Sequence, residues 1–360
     1  MREFLLGIAR GESSGVIARI TQFALLPLAC LYGLALRVRA GLYALGMLPV
    51  ADLGVPVISV GNITAGGTGK TPFVEWLARR LTERGRRVVL LSRGHGPQIP
   101  LPDGRSVNDE CLVLAANLPQ VPHLLGKDRA TNGRRAVKEL GADCLILDDG
   151  FQHWAVKRDL EIVVVDALCP FGNGWLLPAG ILREPLRALR RAHVISLSRV
   201  DQCATDQLRQ LTTRLRALAP QAEIVTTRHA PIGLESLSEG SAVTLDSLRS
   251  KRVFAFCGIG NPAAFEATLA RLGAQVVGRR RFPDHHRYDA ADLESVAEQA
   301  AETHAELVVT TQKDAVKLRR DQKPGFSEKP GFYWLKVALE VTDGADALTK
   351  ALQRALTTSR

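Results

Sequence analysis

No pair among the six cysteines is spaced C-x-x-C; Cys30, Cys111, Cys144, Cys169, Cys203 and Cys257 lie scattered along the chain. That excludes a cysteine-built zinc site and a disulfide framework. It suits a reducing cytoplasm, with several of the six serving as small hydrophobes inside apolar runs. Internal repeats are also lacking, so a repeat architecture is excluded. No apolar run reaches the ~20 residues that a membrane-spanning helix needs. The nearest, Phe23–Leu36, contains Pro27 and Gly33 and is flanked by Arg10, Arg19, Arg37 and Arg39. No small-residue cleavage site closes it, so a signal peptide fits poorly. The run reads equally as a core helix or as an interfacial anchor with arginines at headgroup level. A second apolar patch, Gly41–Val50, follows it.

What is present is an ordinary globular composition of 360 residues, 46% apolar and 23% charged. This is enough for a sizeable core and, by length, for two domains. Disorder is expected only around Arg319–Pro330, which is polar with Gly and Pro. The net charge of +10 favours anionic partners without choosing among nucleic acid, anionic lipid and phosphorylated substrate.

From Val55 the chain alternates short apolar β-branched runs with helical patterns. Strands are predicted at 56–60, 87–92, 144–148, 161–166, 193–198 and 223–227, and helices at 72–84, 128–140 and 201–218. Continuously apolar strands alternating with helices mean a parallel sheet covered on both faces, an α/β fold. Pro, Gly and Ser collect near Arg228–Ser241, where a boundary is expected. A smaller α/β unit follows, with strands at 252–257, 274–278, 306–311 and 331–337, helices at 262–272 and 290–303, and a closing helix at 343–357. The expected organisation is therefore an apolar helical segment over 1–50, a core over 51–228 and a smaller lobe over 229–360.

The strand ending at Val60 runs into Gly61-Asn62-Ile63-Thr64-Ala65-Gly66-Gly67-Thr68-Gly69-Lys70-Thr71 and then a helix. Strand, glycine-rich loop and helix in that order form the context of a P-loop. Gly66, Gly67 and Gly69 let backbone N–H groups, with that of Thr68, converge on phosphate oxygens. Lys70 supplies a point charge, and the Thr71 hydroxyl can ligate Mg²⁺. The usual first glycine of the motif falls on Thr64. Downstream, Cys144–Asp148 is an apolar strand that ends in Asp148-Asp149-Gly150. Such a strand commonly lies beside the P-loop strand and holds the metal through a terminal carboxylate. Three clusters are less specific by themselves. Asp109-Glu110 could supply a carboxylate to an attacking hydroxyl or simply begin a helix. Phe282-Pro283-Asp284-His285-His286 could assist proton transfer or be structural. Arg183 and Arg187 could clamp phosphate or lie on the surface.

Together, and in this order, the blocks resemble the tetraacyldisaccharide 4′-kinase family. They are Val60–Pro72, Leu91-Ser92-Arg93-Gly94, Asp109-Glu110, Leu147–His153, Lys157–Leu160, Pro178-Ala179-Gly180, Leu182–Pro185, Phe282–His286 and Lys313–Lys317. The resemblance implies a P-loop core, a smaller lobe that closes over the nucleotide, and transfer of the ATP γ-phosphate to the 4′-hydroxyl of an acylated glucosamine disaccharide phosphate. It implies ATP and Mg²⁺ as cofactors and peripheral attachment to the cytoplasmic face of the bacterial inner membrane. Nucleic acid and an obligate protein partner are not expected. It further implies that Asp109 and His285 act together on the attacking hydroxyl, Arg183 contacts phosphate or lipid, and Thr71 with Asp148 or Asp149 holds the metal. Because Asp109 and His285 fall in different expected lobes, their meeting is expected to require closure. Three positions depart from the family pattern: His95, Trp154 and Gln312 stand where Tyr, a basic residue and Glu are usual.

Three rivals remain. A partitioning ATPase of the deviant P-loop type carries a second Lys where this chain has Ala65. A GTPase is faintly suggested by Ser198-Arg199-Val200-Asp201. A nucleic-acid ATPase rests on basic charge alone.

Overall fold

The computed structural model describes residues 2–13, 15–94, 99–100, 106–321 and 331–357. His95 and most of the polar stretch Arg319–Pro330 lie outside the described residues. In chain order the first half contains α1 (Arg2–Arg10), α2 (Val16–Ala44), β1 (Val57–Gly61), α3 (Lys70–Glu83), β2 (Val88–Ser92), β3 (Ile99–Pro100), β4 (Ser106–Val107), α4 (Asp109–Asn117), β5 (His123–Leu125), α5 (Arg129–Leu140), β6 (Cys144–Asp148), β7 (Leu160–Asp166) and β8 (Val194–Ser198). The second half contains α6 (Thr205–Leu218), β9 (Glu223–Ser236), β10 (Ala242–Val243), β11 (Arg252–Cys257), α7 (Pro262–Arg271), β12 (Gln275–Arg281), α8 (Ala290–Glu302), β13 (Leu307–Thr311), α9 (Gln312–Asp321), β14 (Gly331–Asp343) and α10 (Ala345–Thr357).

The chain divides into two compact units. The first comprises residues 1–93, 120–228 and 339–360, and the second residues 94–119 and 229–338. In the first unit, parallel strands run in the order β9-β8-β7-β1-β6-β2-β5. Every residue of β1, β2, β6, β7 and β8 is buried, as the unbroken apolar runs require of a sheet covered on both faces. One core cluster centres on Ile63, Phe151, Val163, Leu189, Ile195 and Leu215, and another on Leu53, Val57, Val89, Leu91, Leu145 and Leu147. This is a P-loop NTPase-type core. Its strand order carries the consequence for function: β1 pairs with β6 so that Val60 faces Asp148. The glycine loop and the acidic turn therefore leave the sheet side by side at the carboxyl ends of the strands, where open α/β sheets bind ligands.

The second unit has strands in the order β12-β11-β13-β14-β9, with β10 antiparallel to β9. Phe254, Phe256, Val308, Phe332 and Trp334 lie in its core. The division of the two units at 228 and 229 falls at the start of the boundary expected near 228–241, within β9, which continues to Ser236 because β10 satisfies its backbone groups at Leu234 and Glu235. Segment 94–119 belongs to this unit, where α4 packs on α9. Asp109 and His285 thus share one unit, and the expectation that closure is needed to bring them together is corrected. Asn117 and Gln312 join the two helices by a reciprocal amide pair: Asn117 Nδ2 donates to Gln312 Oε1 at 3.2 Å, and Gln312 Nε2 donates to Asn117 Oδ1 at 2.6 Å. Only an amide can answer both ends, which gives a physical reason for Gln rather than Glu at 312.

Helix α2 is longer than the apolar run that marks it, with 29 residues spanning Val16–Ala44 and including Pro27, Arg37 and Arg39. At 1.5 Å per residue it is about 44 Å long. Within it only Ala18 and Ala29 are buried, while Val16, Ile17, Ile20, Phe23, Leu31, Leu34 and Val38 are exposed. It is long and apolar enough to cross a membrane by length and composition, and it is not a core helix.

Replacing Gln312 by Glu sets two acceptors against each other in a pair that is mostly buried. The expected outcome is a loss of about 1–3 kcal/mol from the second unit, read as a lowered urea midpoint, with Gln312→Asn giving a smaller loss.

Candidate active site

The glycine loop begins where β1 ends and α3 starts, with Gly69 as the left-handed cap of the helix (φ 89°). Gly66 has φ 118°, a conformation that L side chains avoid. Gly67 is different. Its φ is not in that region, and a Cβ there would meet nothing within 4 Å. Packing therefore does not require glycine at 67, and the missing side chain leaves the loop backbone open to close approach by an external group. The outer side of the loop is held from several directions. Ala65 N–H donates to Ile181 O at 2.7 Å and Arg183 N–H to Ile63 O at 2.8 Å. Ser198 Oγ donates to Thr68 O, and Arg199 to Gly67 O, each at 2.7 Å. The Ser198-Arg199 pair thus buttresses the loop backbone. Arg199 is itself anchored on Asp166 at 2.6 Å.

Asp149 is the electrostatic centre of this cluster. Arg183 Nη1 donates to both its carboxylate oxygens, at 2.8 and 3.0 Å, and Lys70 Nζ lies 3.5 Å from Oδ1. Burial pushes the Asp149 carboxyl up, but the charges of Lys70 and Arg183 outweigh it and hold the group well below the ordinary carboxylate range. Asp149 takes a left-handed φ of 51°, and its carbonyl accepts from the buried Arg129 at 3.1 Å. Asp148 is 5% exposed at the end of β6, beside the loop. Asn62 joins the parts: its amide donates to Thr68 Oγ1 at 3.2 Å and accepts from Arg183 at 3.1 Å, while its carbonyl accepts from Gln152 at 2.9 Å.

Helix α2 reaches the same network. Tyr32 donates to Arg183 O at 2.8 Å, and Arg39 donates to Gln152 O at 2.8 Å. The Arg39 guanidinium lies 5.3 Å from the Trp154 ring, and Arg191 stacks on Phe151 and Trp154 at 4.2 and 4.5 Å. Trp154 therefore sits between two arginines, where a basic residue would be repelled. Arg191 also forms a bidentate pair with the buried Glu184. Arg187, the other arginine of the expected clamp, is exposed.

In the second unit, Asp109 is the first residue of α4. It is 3% exposed, and Asn108 caps the helix through Cys111 N at 2.9 Å. Its Oδ1 accepts the Glu110 N–H at 3.0 Å, and its Oδ2 accepts from His285 Nδ1 at 2.8 Å. Burial raises Asp109, but the His285 hydrogen bond and the Lys313 charge prevail and hold it below the usual value. The hydrogen bond to Asp109 raises His285 above an ordinary imidazole, against its burial. His285 sits at φ 63° in a turn that packs on Gly258, where a Cβ would come within 3.0–3.2 Å of Pro283 O, Tyr288 Oη and His286 Cβ. His286 is structural, bonded to Asp292 at 2.7 Å and stacked on Phe282 at 4.6 Å.

The residues expected from sequence thus fall into two groups. Lys70, Asp148, Asp149 and Arg183 lie around the glycine loop, and Asp109 and His285 form a pair in the other unit. Sequence reading missed the roles of Asn62, Gln152, Arg129, Ser198 and Arg199. Asn62 and Gln152 stand inside the motif blocks, and Ser198-Arg199 gave a signal that suggested guanine binding rather than support of the loop, whereas Arg129 carries no local signal. Among the described residues no group of three or more His, Cys, Asp and Glu forms a metal cage. The donors near the loop, a threonine hydroxyl and carboxylates, are hard oxygens that fit Mg²⁺ carried in with a triphosphate.

Gly61 and Gly67 separate packing from ligand approach. A Cβ on Gly61 would sit 2.5 Å from Phe151 N and Cβ. Gly61→Ala is expected to cost about 1–3 kcal/mol of stability. Gly67→Ala is expected to leave the melting temperature near wild type while weakening triphosphate binding, as calorimetry and thermal denaturation would show.

A family model described as tetraacyldisaccharide-1-P 4′-kinase (LpxK) matches residues 21–357. The chain is 43% identical over 354 residues to the tetraacyldisaccharide 4′-kinase of Anaeromyxobacter dehalogenans (strain 2CP-C), covering 95% of this chain and 92% of that one. It is 41% identical over 325 residues to the enzyme of the same name from Geobacter sulfurreducens, covering 86% and 88%. Among solved structures it is similar to LpxK from Aquifex aeolicus in complex with ATP, with a TM-score of 0.69 and 29% identity over 93% of this chain and 99% of that one. The family model spans the glycine loop, the acidic turn and the Asp109–His285 pair, and the identity to these relatives extends over most of both chains, so this chain belongs to the tetraacyldisaccharide-1-P 4′-kinase family.

Proposed function

We propose that the protein transfers the γ-phosphoryl group of ATP to the 4′-hydroxyl of a tetraacyldisaccharide 1-phosphate, giving lipid IVA. The observation that carries this reading is the placement of Asp149, Lys70 and Arg183 around a loop whose exposed Gly67 has no packing reason to be glycine. Phosphoryl transfer demands positioning and charge neutralisation at such a place. Lys70 and the loop amides bind the β- and γ-phosphates, and Arg183 contacts the phosphates or the lipid headgroup. The hydroxyl oxygen attacks the γ-phosphorus as the bond to the β–γ bridging oxygen breaks and ADP leaves. Asp109, oriented by His285, receives the hydroxyl proton.

Thr71 and Asp148 are the donors that would hold Mg²⁺, which would supply charge neutralisation on the triphosphate. Asp149 is already committed to Lys70 and Arg183, so its role is to hold those cations in place. This division makes Asp148→Asn raise the Mg²⁺ concentration needed for half-maximal activity, while Asp149→Asn lowers kcat at saturating Mg²⁺. Similar Mg²⁺ dependence for both variants would reject it. Asp109→Ala is expected to slow transfer about 10²–10⁴-fold while ATP binding survives. Equal loss of binding would remove Asp109 from the proton step. The function itself is tested with radiolabelled ATP and a tetraacyldisaccharide 1-phosphate. An active ATPase that leaves the lipid unlabelled would overturn the substrate.

The exposed apolar side of α2 supports attachment to the cytoplasmic face of the inner membrane, where an acylated substrate lies. Its opposite side carries Tyr32 and Arg39 into the site, so deleting the helix would damage catalysis as well as attachment. Substituting Phe23, Leu31 and Val38 together by Gln isolates the attachment. The variant is expected to move from the membrane to the soluble fraction in sedimentation while retaining activity on detergent-dispersed substrate.

A further inference from the structure

Next to Asp109 and His285 lies a cation that the proposed proton step does not use. Lys313, the second residue of α9, places its Nζ 3.4 Å from Asp109 Oδ2, the oxygen that also accepts from His285 Nδ1. On its other side it donates to Asp284 Oδ1 at 3.1 Å. The second oxygen of Asp284 lies 3.7 Å from His285 Nε2. The four side chains therefore close a ring in which the imidazole has a carboxylate at each nitrogen and one ammonium bridges the two carboxylates. The ring is assembled from three places in the sequence: the start of α4, the turn before α8 and the start of α9.

We infer that Lys313 is a positioning residue of the acid–base pair, holding the Asp109 carboxylate ionised and turned toward His285. Resting on the proton-acceptor reading above, the inference adds the group that sets how tightly the pair holds its proton. The charges that face the pair are Glu110 on α4, Asp284 on the turn, and Lys313 and Lys317 on α9. Lys317 is committed to the fully buried Asp314 at 2.8 Å and to His286 O at 3.0 Å. Lys313 is the cation in direct contact. Burial works to lower its own proton affinity, but Asp109 and Asp284 more than compensate, so it stays charged throughout the working range. A positive charge in this position lowers the proton affinity of Asp109 and of His285 alike. The two titrate as a unit, so removing Lys313 raises the apparent value of the pair.

The test uses the full chain in detergent micelles, labelled with ¹³C-histidine, in wild-type, Lys313→Gln, Lys313→Arg and Asp109→Asn forms. Asp109→Asn identifies the His285 resonance by lowering its midpoint. In Lys313→Gln that midpoint is expected to rise by about one pH unit, and Lys313→Arg is expected to return it close to wild type. The acidic limb of the kcat/KM profile is expected to move up by the same amount, so that the rate loss is larger at low pH than at high pH. An unmoved His285 midpoint in Lys313→Gln would overturn the inference, leaving Lys313 a structural ion pair. A moved midpoint with an unmoved acidic limb would instead keep the electrostatic link and sink the reading that this pair accepts the proton.

Discussion

One contact organises the first unit: the Asp149 carboxylate shared between Lys70 of the glycine loop and Arg183 of a remote loop. A carboxylate with two cations can be ionised, half-buried and fixed at the same time, because the charges that hold it also offset its loss of water. Its neighbours are arranged to keep it there. Gly61 and Gly150 carry no side chain because Phe151 and the Ser59 hydroxyl occupy the space a Cβ would fill. The turn Asp149-Gly150 is thereby pressed onto the end of β1. The glycine loop and the Asp149-Gly150 turn are thereby tied into one object, the kind of fixed framework that positioning of a phosphoryl group demands.

Helix α2 acquires a second meaning from this arrangement. Viewed as sequence it is an apolar segment with arginines, suited to a bilayer. In the fold, Tyr32 and Arg39 hold backbone carbonyls at residues 183 and 152, the first in the arginine clamp and the second beside the acidic turn. The exposed apolar helix is thus bonded to the segments that surround the glycine loop. The aromatic and guanidinium stack of Arg39, Trp154 and Arg191 explains the departure at Trp154, since the position is already rich in positive charge. The reciprocal Asn117–Gln312 pair gives the departure at Gln312 a comparable cause.

The second unit shows how a catalytic-type pair is made from weak signals. Asp109 opens a helix, which alone would be an ordinary capping position. It becomes special because the same carboxylate is 3% exposed and meets an imidazole held in a left-handed turn. The turn is seated on Gly258, and Gly258 N–H is bound by the fully buried Asp314 at 3.1 Å. The Lys313–Lys317 block places Lys313, Asp314 and Lys317 on one side of α9, so a single helix both supports the turn and brings a cation to Asp109.

The sequence by itself determined the elements and the phosphate loop. Short β-branched runs alternating with helical patterns point to buried parallel strands, and a glycine cluster followed by Lys-Thr between strand and helix has few other uses. Those signals are local, within a turn or two of chain. It also carried the ordered blocks that single out the family. Only the tertiary structure decided which charges meet. The assignment of segment 94–119 to the second unit, the commitment of Asp149 to Lys70 and Arg183, and the placing of Lys313 against Asp109 depend on strand order and on helix docking between residues up to about two hundred positions apart. The same holds for the extent of β9, which runs on through the division of the two units at residues 228 and 229 because it pairs with β10. Local propensity is written residue by residue, whereas electrostatic pairing exists only once the chain has been brought back on itself.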